Sequence, residues 1–579
     1  MGLQTIRMRG IDTMSASSKK KLRKELAAEM MTEKQRQAKK EAKKLKAMTI
    51  SFVALMVAIA LLFTGILVNN GIEKSGYFYK KTIAATINGQ KLNSVQMNYY
   101  LTDYIQSMYS QLESQYGSSS YANMMLGFSG VDANKALDEQ IYDQQTGETW
   151  ADYYLSQALA KAKSEYTLYA KAIAEGFTLT EEQQATMDSN LSMMELYAQL
   201  YGYKNADKWL QARYGYGSSL KSYTEYTRIS TIASAYYTKY NESLTYDDAA
   251  IRAYEEGKEI NFTSFSYASY TVYVSEYLEG GTKDEESGTT TYSDAEKEAA
   301  RKKAEDVANS LKTATNLEEF DKLIGALEIN AEEETAVTST LNTDKLYTAI
   351  SSSEEPTDLQ KWLSDSARVE NEITVITNES TSTDSEGKEV KTVNSYNVVL
   401  FQSRNENLNK LANVRHLLVA FEGGTTQSDG STTYSQEEKD AAKAEAEALL
   451  KQWEEGEKTE DSFIALVKEK TDDSGSKETG GLYEDIHPQS SYVENFLNWC
   501  ISTERQVGDT GIVQTEYGYH IMYFSSFDEL TYRDYMIREE MRSNDTEAWY
   551  NAAMEGSTAT IGKTKYLNMD IILANLASS

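Results

Sequence analysis

Residues 279–305, EGGTKDEESGTTTYSDAEKEAARKKAE, return at 422–447 as EGGTTQSDGSTTYSQEEKDAAKAEAE. The offset is 143 residues before the loop (Glu279 to Glu422) and 142 after it (Ser293 to Ser435), so one residue separates the two loops in length. In both places an apolar run comes first, then a polar Gly/Ser/Thr loop, then a helix opened by Ser293 or Ser435 three residues before a Glu. The likeness continues downstream. WLSDSARVENEITVI (362–376) parallels FLNWCISTERQVGDTGIV (496–513), and SYNVVLFQSR (395–404) parallels GYHIMYFSSF (518–527). A duplication of roughly 120–145 residues predicts two units of one fold, expected at 261–406 and 407–527.

Upstream of the duplication the chain changes character. The 579 residues allow about four units at ~150 residues each. Residues 1–47 hold fourteen Lys/Arg against five acids, in a chain whose net charge is −30. Directly after them Met48–Val68, MTISFVALMVAIALLFTGILV, runs 21 residues without a charge. As a helix it is roughly 31 Å long, a bilayer core's thickness. A basic block before the span and none directly after it predicts the N-terminus inside and the bulk of the chain extracytoplasmic. A cleaved signal peptide is the rival reading; it would have a shorter apolar stretch, a shorter leader and a small-x-small site. NNGIEKSGYF follows instead, so a single-pass anchor in the cell membrane is expected, behind a basic cytoplasmic tail. That tail reads as a topology signal on a solvated Lys/Glu helix, with contact to anionic lipid or RNA as its alternative.

Composition removes several function classes. A net charge of −30 excludes nonspecific nucleic-acid binding through phosphates. The single Cys, Cys500, excludes a disulfide framework and any CxxC site. With three histidines, His416, His487 and His520, a multi-His metal enzyme is not expected, and no metal or organic cofactor is implied. Hydrophobic residues at 40% suffice for packed cores. The two Pro and 42 Tyr have no explanation in the sequence itself.

Between the anchor and the duplication, IAATING (83–89) reads as a strand closing on an Asn-Gly turn. Helices are expected to follow to about Tyr240, with capping boxes at Thr180–Gln183 and Thr245–Asp248. Tyr, Met and Leu recur along them, as in YYLSQALAKAKSEYTLYAKAIAEGF (153–177). Such a stripe packs helices together; it also suits a cradle for unfolded chains, because these side chains adapt to many partners. The helical lobe is expected to span 83–260.

The second copy concentrates the chemistry. Asn413–Val419, NVRHLLV, is a strand with a His among apolar residues; Gly480-Gly481-Leu482 follows an acidic loop. Tyr492-x-x-x-Phe496 puts two aromatics on one helix face, and Thr515–Ile521, TEYGYHI, closes the unit. Together these spaced motifs, over about 413–526, resemble the parvulin family of peptidyl-prolyl isomerases. The resemblance implies that His416 and His520 are the paired pocket histidines and that Asp473 stands where parvulins place Cys or Asp. It implies that Leu482, Tyr492 and Phe496 receive the proline ring, with Tyr492 in place of the usual Met, and that Thr515 lies at the rim. Phospho-directed parvulins carry a basic loop after the first strand; here EGGTTQSDGSTTY (422–434) has no Lys or Arg, so a phosphoserine-proline preference is not expected. His487 reads as a loop residue and Cys500 as a packed side chain. In the first copy Tyr273 aligns with His416 and Asn397 with His520, which predicts a degenerate, inactive parvulin-like domain.

ATINGQKLNSVQMNYYL (85–101), AIAEGFTLTEEQ (172–183) and LTYDDAAIRAYEEGKEINF (244–262) resemble the chaperone lobe of exported foldases of the SurA and PrsA kind. In those proteins a C-terminal segment returns to the lobe, the role expected of 528–579. The expected fold class is therefore α+β: a transmembrane helix, a helical chaperone lobe and two parvulin-like α/β domains. The resemblance implies a prolyl isomerase and chaperone whose partners are unfolded or partly folded exported polypeptides containing X–Pro bonds. The alternative is a holdase in which isomerisation is vestigial.

Overall fold

A computed structural model describes residues 15–29, scattered positions between 40 and 57, and 71–569 apart from 117–130, 133–134, 284–287, 331–334, 354, 384–386 and 428–430. Ala16–Glu29 in the basic leader is helical. The expected span Met48–Val68 falls largely outside the described residues. Among the described residues no helix is long and apolar enough to cross a membrane.

The chain forms two compact units, 1–243 with 548–579, and 244–547. In the first, strands β1 (Ile83–Ile87) and β2 (Gln90–Asn93) form a hairpin. Asn88 (φ 50°) and Gly89 (φ 81°) supply the two left-handed residues that a tight hairpin turn requires. The strand Ala559–Ile561 returns from the C-terminus to pair antiparallel with β1, Ala85 opposite Ile561. The helices of this unit include α1 (Ser94–Tyr116), α2 (Trp150–Ala174), α3 (Glu181–Leu200), α4 (Ala206–Tyr214) and α5 (Leu220–Ser243). Thr180 caps α3 in a reciprocal box with Gln183.

The unit's core accounts for part of the tyrosine content. Tyr99 is fully buried, with the rings of Tyr214, Tyr223 and Tyr226 at 5.0–5.5 Å. The Asp103 carboxylate accepts the hydroxyls of Tyr214 (2.9 Å) and Tyr226 (2.8 Å). Burial pushes the Asp103 carboxyl up, and these two donors offset part of that cost. By contrast α3 buries only Met187 and Ala198 and exposes Leu196 and Leu200.

The second unit begins with α6 (Asp248–Glu255), capped by Asp247 rather than by the expected Thr245, because the Asp247 side chain accepts the Ala250 N–H. Ile251 packs with Phe262 and with Ile537 of the helix Tyr532–Met554. The buried Arg533 guanidinium binds the Glu255 carboxylate, the Glu406 carboxylate (3.1 Å) and the Glu259 carbonyl (2.7 Å). These contacts group 244–260 and 528–547 with the duplicated domains, whereas the sequence alone leads one to expect them in the lobe.

The first copy contains β3 (Ser264–Tyr273), α7 (Asp294–Leu311), α8 (Leu317–Gly325), β4 (Thr340–Leu346), α9 (Asp358–Ser364), β5 (Ile373–Thr383) and β6 (Glu389–Asn405). The second contains β7 (Lys410–Ala420), α10 (Gln436–Glu454), α11 (Glu460–Lys470), β8 (Leu482–Ile486), α12 (Glu494–Ile501), β9 (Thr510–Gln514) and β10 (Gly518–Thr531). Their four-stranded antiparallel sheets have the same order, β4-β3-β6-β5 and β8-β7-β10-β9. One face of each sheet packs on the long helix, through Ala300, Ala304 and Ala308 in one copy and Ala442, Ala446 and Leu449 in the other. Ser293 and Ser435 both cap that helix in a reciprocal box, and the Glu of each box also accepts a Gly N–H from the preceding loop. The opposite face carries α9 in the first copy and α12 in the second.

Candidate active site

Alternation along β7 sends Leu417 and Val419 towards α10 and Val414 and His416 towards α12. On β10, Tyr519 and Ile521 join the first face, Met522 and Phe524 the second. The register sets Leu418 opposite His520 and His416 opposite Met522, so the two histidines are diagonal neighbours on one face. Both are buried, at 3% and 7% exposure, with their Nδ1 atoms 3.0 Å apart.

Asp473 reaches them from the loop after α11. Thr471 Oγ1 accepts the Leu418 N–H (3.1 Å), the Asp472 N–H donates to the Leu418 carbonyl (2.9 Å), and Asp472 Oδ2 accepts the Ala420 N–H (2.9 Å). Held against β7 in this way, the loop puts Asp473 Oδ2 3.1 Å from His416 Nε2. Burial opposes ionisation of Asp473, but donors from Ser476, the Gly475 N–H and His416 outweigh it and hold the carboxyl below its usual range.

The ionised carboxylate gives the chain of hydrogen bonds a direction. His416 donates Nε2–H to Asp473, so its Nδ1 accepts from Nδ1–H of His520, and His520 Nε2 accepts from the Thr515 hydroxyl at 2.9 Å. Burial pushes both imidazoles towards neutrality, and His520 comes down to about 4, helped by the neighbouring His416. Buried Phe496 lies 5.5 Å from His416 and 5.3 Å from His520, centroid to centroid. Tyr492 stacks obliquely on Phe496 at 5.5 Å, yet it precedes the helix: α12 starts at Glu494 because Val493 is extended (φ −56°, ψ 134°). Leu482 pairs with Arg415 at the start of β8. The ring beside His416 is that of the next residue, Tyr483, at 4.9 Å.

Gly481 explains the Gly-Gly-Leu motif. At φ 74° a Cβ there would stand 2.1 Å from the His416 carbonyl oxygen, while the Gly481 carbonyl accepts the His416 N–H at 3.0 Å. Two contributors went unread in the sequence. Ser476 donates to Asp473 Oδ2, and Tyr483 does so at 3.3 Å. Ser476 sits three residues after Asp473, and Tyr483 directly follows the glycine motif, but neither spacing alone signals a contact. His487 lies in the β8–α12 loop stacked on Tyr532 at 4.3 Å, and Cys500 is buried with its thiol pushed up by burial.

The first copy lacks these groups. Asn397 pairs with Thr271 as His520 pairs with Leu418, and Tyr396, Val398 and Leu400 face α7 as Tyr519, Ile521 and Tyr523 face α10. The same register puts Ser269, opposite Val399, in the place of His416, not Tyr273 as the linear alignment expects. The turn Val274–Tyr277 after β3 absorbs the difference.

Residues 416–526 match the family described as Rotamase: PPIC-type PPIASE domain. A comparison with curated proteins finds no match. Among solved structures, PrsA of Bacillus anthracis, titled a peptidylprolyl isomerase, is 19% identical over 26% of this chain and 61% of its own (TM-score 0.17). PrsA of Bacillus subtilis is 22% identical over 26% and 51% (TM-score 0.18). A structure from Campylobacter jejuni, titled for the SurA-like chaperones PEB4 and Cj1289, is 11% identical over 65% and 83% (TM-score 0.14). The chain thus spans little more than half the length of the two PrsA structures. The family match covers the residues that bring His416, Asp473, Phe496, Thr515 and His520 together: the second copy is a parvulin-type, PPIC peptidyl-prolyl isomerase domain.

Proposed function

We propose that this chain is a membrane-anchored, extracytoplasmic peptidyl-prolyl cis/trans isomerase and chaperone that assists the folding of exported proteins. The observation that carries the isomerase reading is the buried chain Thr515–His520–His416–Asp473 beneath the aromatic rings of Tyr492 and Phe496. Rotation about X–Pro crosses ~18–20 kcal/mol because amide resonance must be broken. An apolar pocket that grips the ring and favours the twisted imide lowers that barrier without covalent chemistry. In this role His416 and His520 are neutral and shape the pocket, Asp473 holds their tautomers and disfavours the charge-separated amide, and Tyr492, Phe496 and Thr515 contact the substrate. Leu482, paired with Arg415 beside the inward-facing Tyr483, lies on the other face of the sheet.

The anchor rests on the uncharged run Met48–Val68 behind its basic leader. The test of catalysis is the isomerisation rate of a short X–Pro peptide with the detergent-solubilised full chain and its His416→Ala and His520→Ala variants. Activity that falls in both folded variants is expected; a wild-type rate equal to the uncatalysed one rejects the reading. Resistance of the chain to alkaline extraction from membranes tests the anchor.

A holdase role is the second reading. It is favoured by the exposed Leu196 and Leu200 of α3 and by a cavity of about 1020 Å³ in the first unit, lined by Tyr100, Tyr166 and Tyr226 among others. Suppression of client aggregation that survives His416→Ala and His520→Ala, but not substitutions in that lining, distinguishes it.

A further inference from the structure

Tyr483 owes its position to an irregularity in β8. Ala412 pairs with Ile486, but Val414 pairs with Tyr483 and Arg415 with Leu482, so β8 carries one extra residue at 484–485. Asp485 there is left-handed, at φ 54°. Such a bulge re-aims side chains. As a result Ile486 and Tyr483, three residues apart, both face α12. Without the extra residue a spacing of three would put them on opposite faces.

Once turned inward, Tyr483 touches both halves of the site. Its ring meets His416 edge-on (4.9 Å, 69°), Tyr492 (5.4 Å, 72°) and Phe496 (6.0 Å, 63°). Its hydroxyl donates to Asp473 Oδ2, the oxygen that also accepts from His416 Nε2 and from Ser476. Burial, with Asp473 beside it, raises the phenol to about 12, so it stays a neutral donor across physiological pH.

Resting on the isomerase reading above, we propose that Tyr483 is a positioning residue of this site. Its hydroxyl fixes the Asp473 carboxylate against His416, and its ring completes the aromatic wall over the prolyl position. The groups facing the carboxylate are His416 from β7, Ser476 and the Gly475 N–H from its own loop and Tyr483 from β8, with His520 behind His416. Removing the hydroxyl takes one donor from Oδ2. The carboxylate then binds a proton more readily, and it attracts a proton on His416 more strongly.

The test compares Tyr483→Phe and Tyr483→Ala with wild type in the detergent-solubilised full chain. Peptide isomerisation is followed from pH 4 to 8, and the imidazoles are titrated by NMR after selective histidine labelling. With three histidines in the chain, His487 serves as an internal control. Tyr483→Phe is expected to lower kcat about tenfold with KM within twofold. The acid limb of kcat/KM should move to higher pH, and the His416 titration should move up while that of His487 stays. Tyr483→Ala should raise KM as well. A Tyr483→Phe variant with wild-type kcat, pH profile and His416 titration overturns the proposal and leaves the ring as a packing group. If the wild type shows no isomerisation, the isomerase reading fails separately, and the His416 titration alone decides: a shift upholds the positioning role, no shift rejects it.

Discussion

The Nδ1 atoms of His416 and His520 lie 3.0 Å apart, so only one of them can carry a proton while both rings are neutral. The Asp473 carboxylate on the far side of His416 decides which: His520 donates and His416 accepts.

That arrangement carries a pH signature in stability. His520 is lowered from 6.5 to about 4 by burial and by His416, and His416 is lowered too. Between pH 6.5 and about 4 the unfolded chain binds more protons than the folded one, so stability falls as pH falls through this window. For His520 alone the loss approaches about 3 kcal/mol when acidification is complete. Denaturant midpoints of the wild type at pH 7 and pH 5 should differ more than those of His520→Gln; equal differences would reject this origin.

Removing Asp473 tests the direction of the chain. Asp473→Ala leaves a buried His416 N–H with one acceptor fewer, and the expected effect is a 10- to 100-fold loss of isomerase activity with a modest loss of stability. Asp473→Asn keeps an acceptor oxygen and should retain more activity. An alanine variant with full activity removes Asp473 from the proposed machinery.

Gly481→Ala should damage the site without touching a pocket side chain. The added Cβ meets the His416 carbonyl oxygen at 2.1 Å, in a left-handed conformation that disfavours any Cβ. A loss of at least about 2 kcal/mol is expected, together with most of the activity, read by denaturation and by the peptide assay. Gly89→Ala, whose Cβ meets nothing within 4 Å, should cost only its φ strain and leave isomerisation intact.

Arg533→Met should destabilise the second unit. The substitution takes one of two guanidinium partners from the buried Glu255, which keeps Arg252, and leaves the Glu259 carbonyl with the Thr263 hydroxyl as donor. A cost of about 1.5–3 kcal/mol is expected from the charge-assisted hydrogen bonds lost at a buried carboxylate that keeps one partner. Arg533→Met combined with Glu255→Leu should recover part of it; denaturation of the two variants side by side provides the comparison.

Much of the second unit is legible in the sequence because its signals are local. The caps at Ser293 and Ser435 are reciprocal contacts three residues apart, and strand alternation by itself puts His416 on the face away from Leu417 and Val419. Asn88-Gly89 specifies its own turn through two left-handed residues. The resemblance to parvulins also singles out Asp473, although its approach to His416 depends on the Thr471 and Asp472 bonds to β7.

Other features depend on contacts between segments far apart in the chain. Ser269 rather than Tyr273 stands in for His416 because the Val274–Tyr277 turn decouples sequence offset from strand register. The segments 244–260 and 528–547 join the duplicated domains because Arg533 and Ile537 find partners there. Tyr483 enters the site because a bulge at 484–485 reverses its facing. Read from the chain alone are the duplication, at an offset of 142–143 residues, and the helix caps, at a spacing of three, while the two histidines stand out through the resemblance of the motifs around them to parvulins. Tertiary structure alone decided the histidines' partners and the wall above them, because register, bulges and buried charge pairs are settled by packing between distant segments.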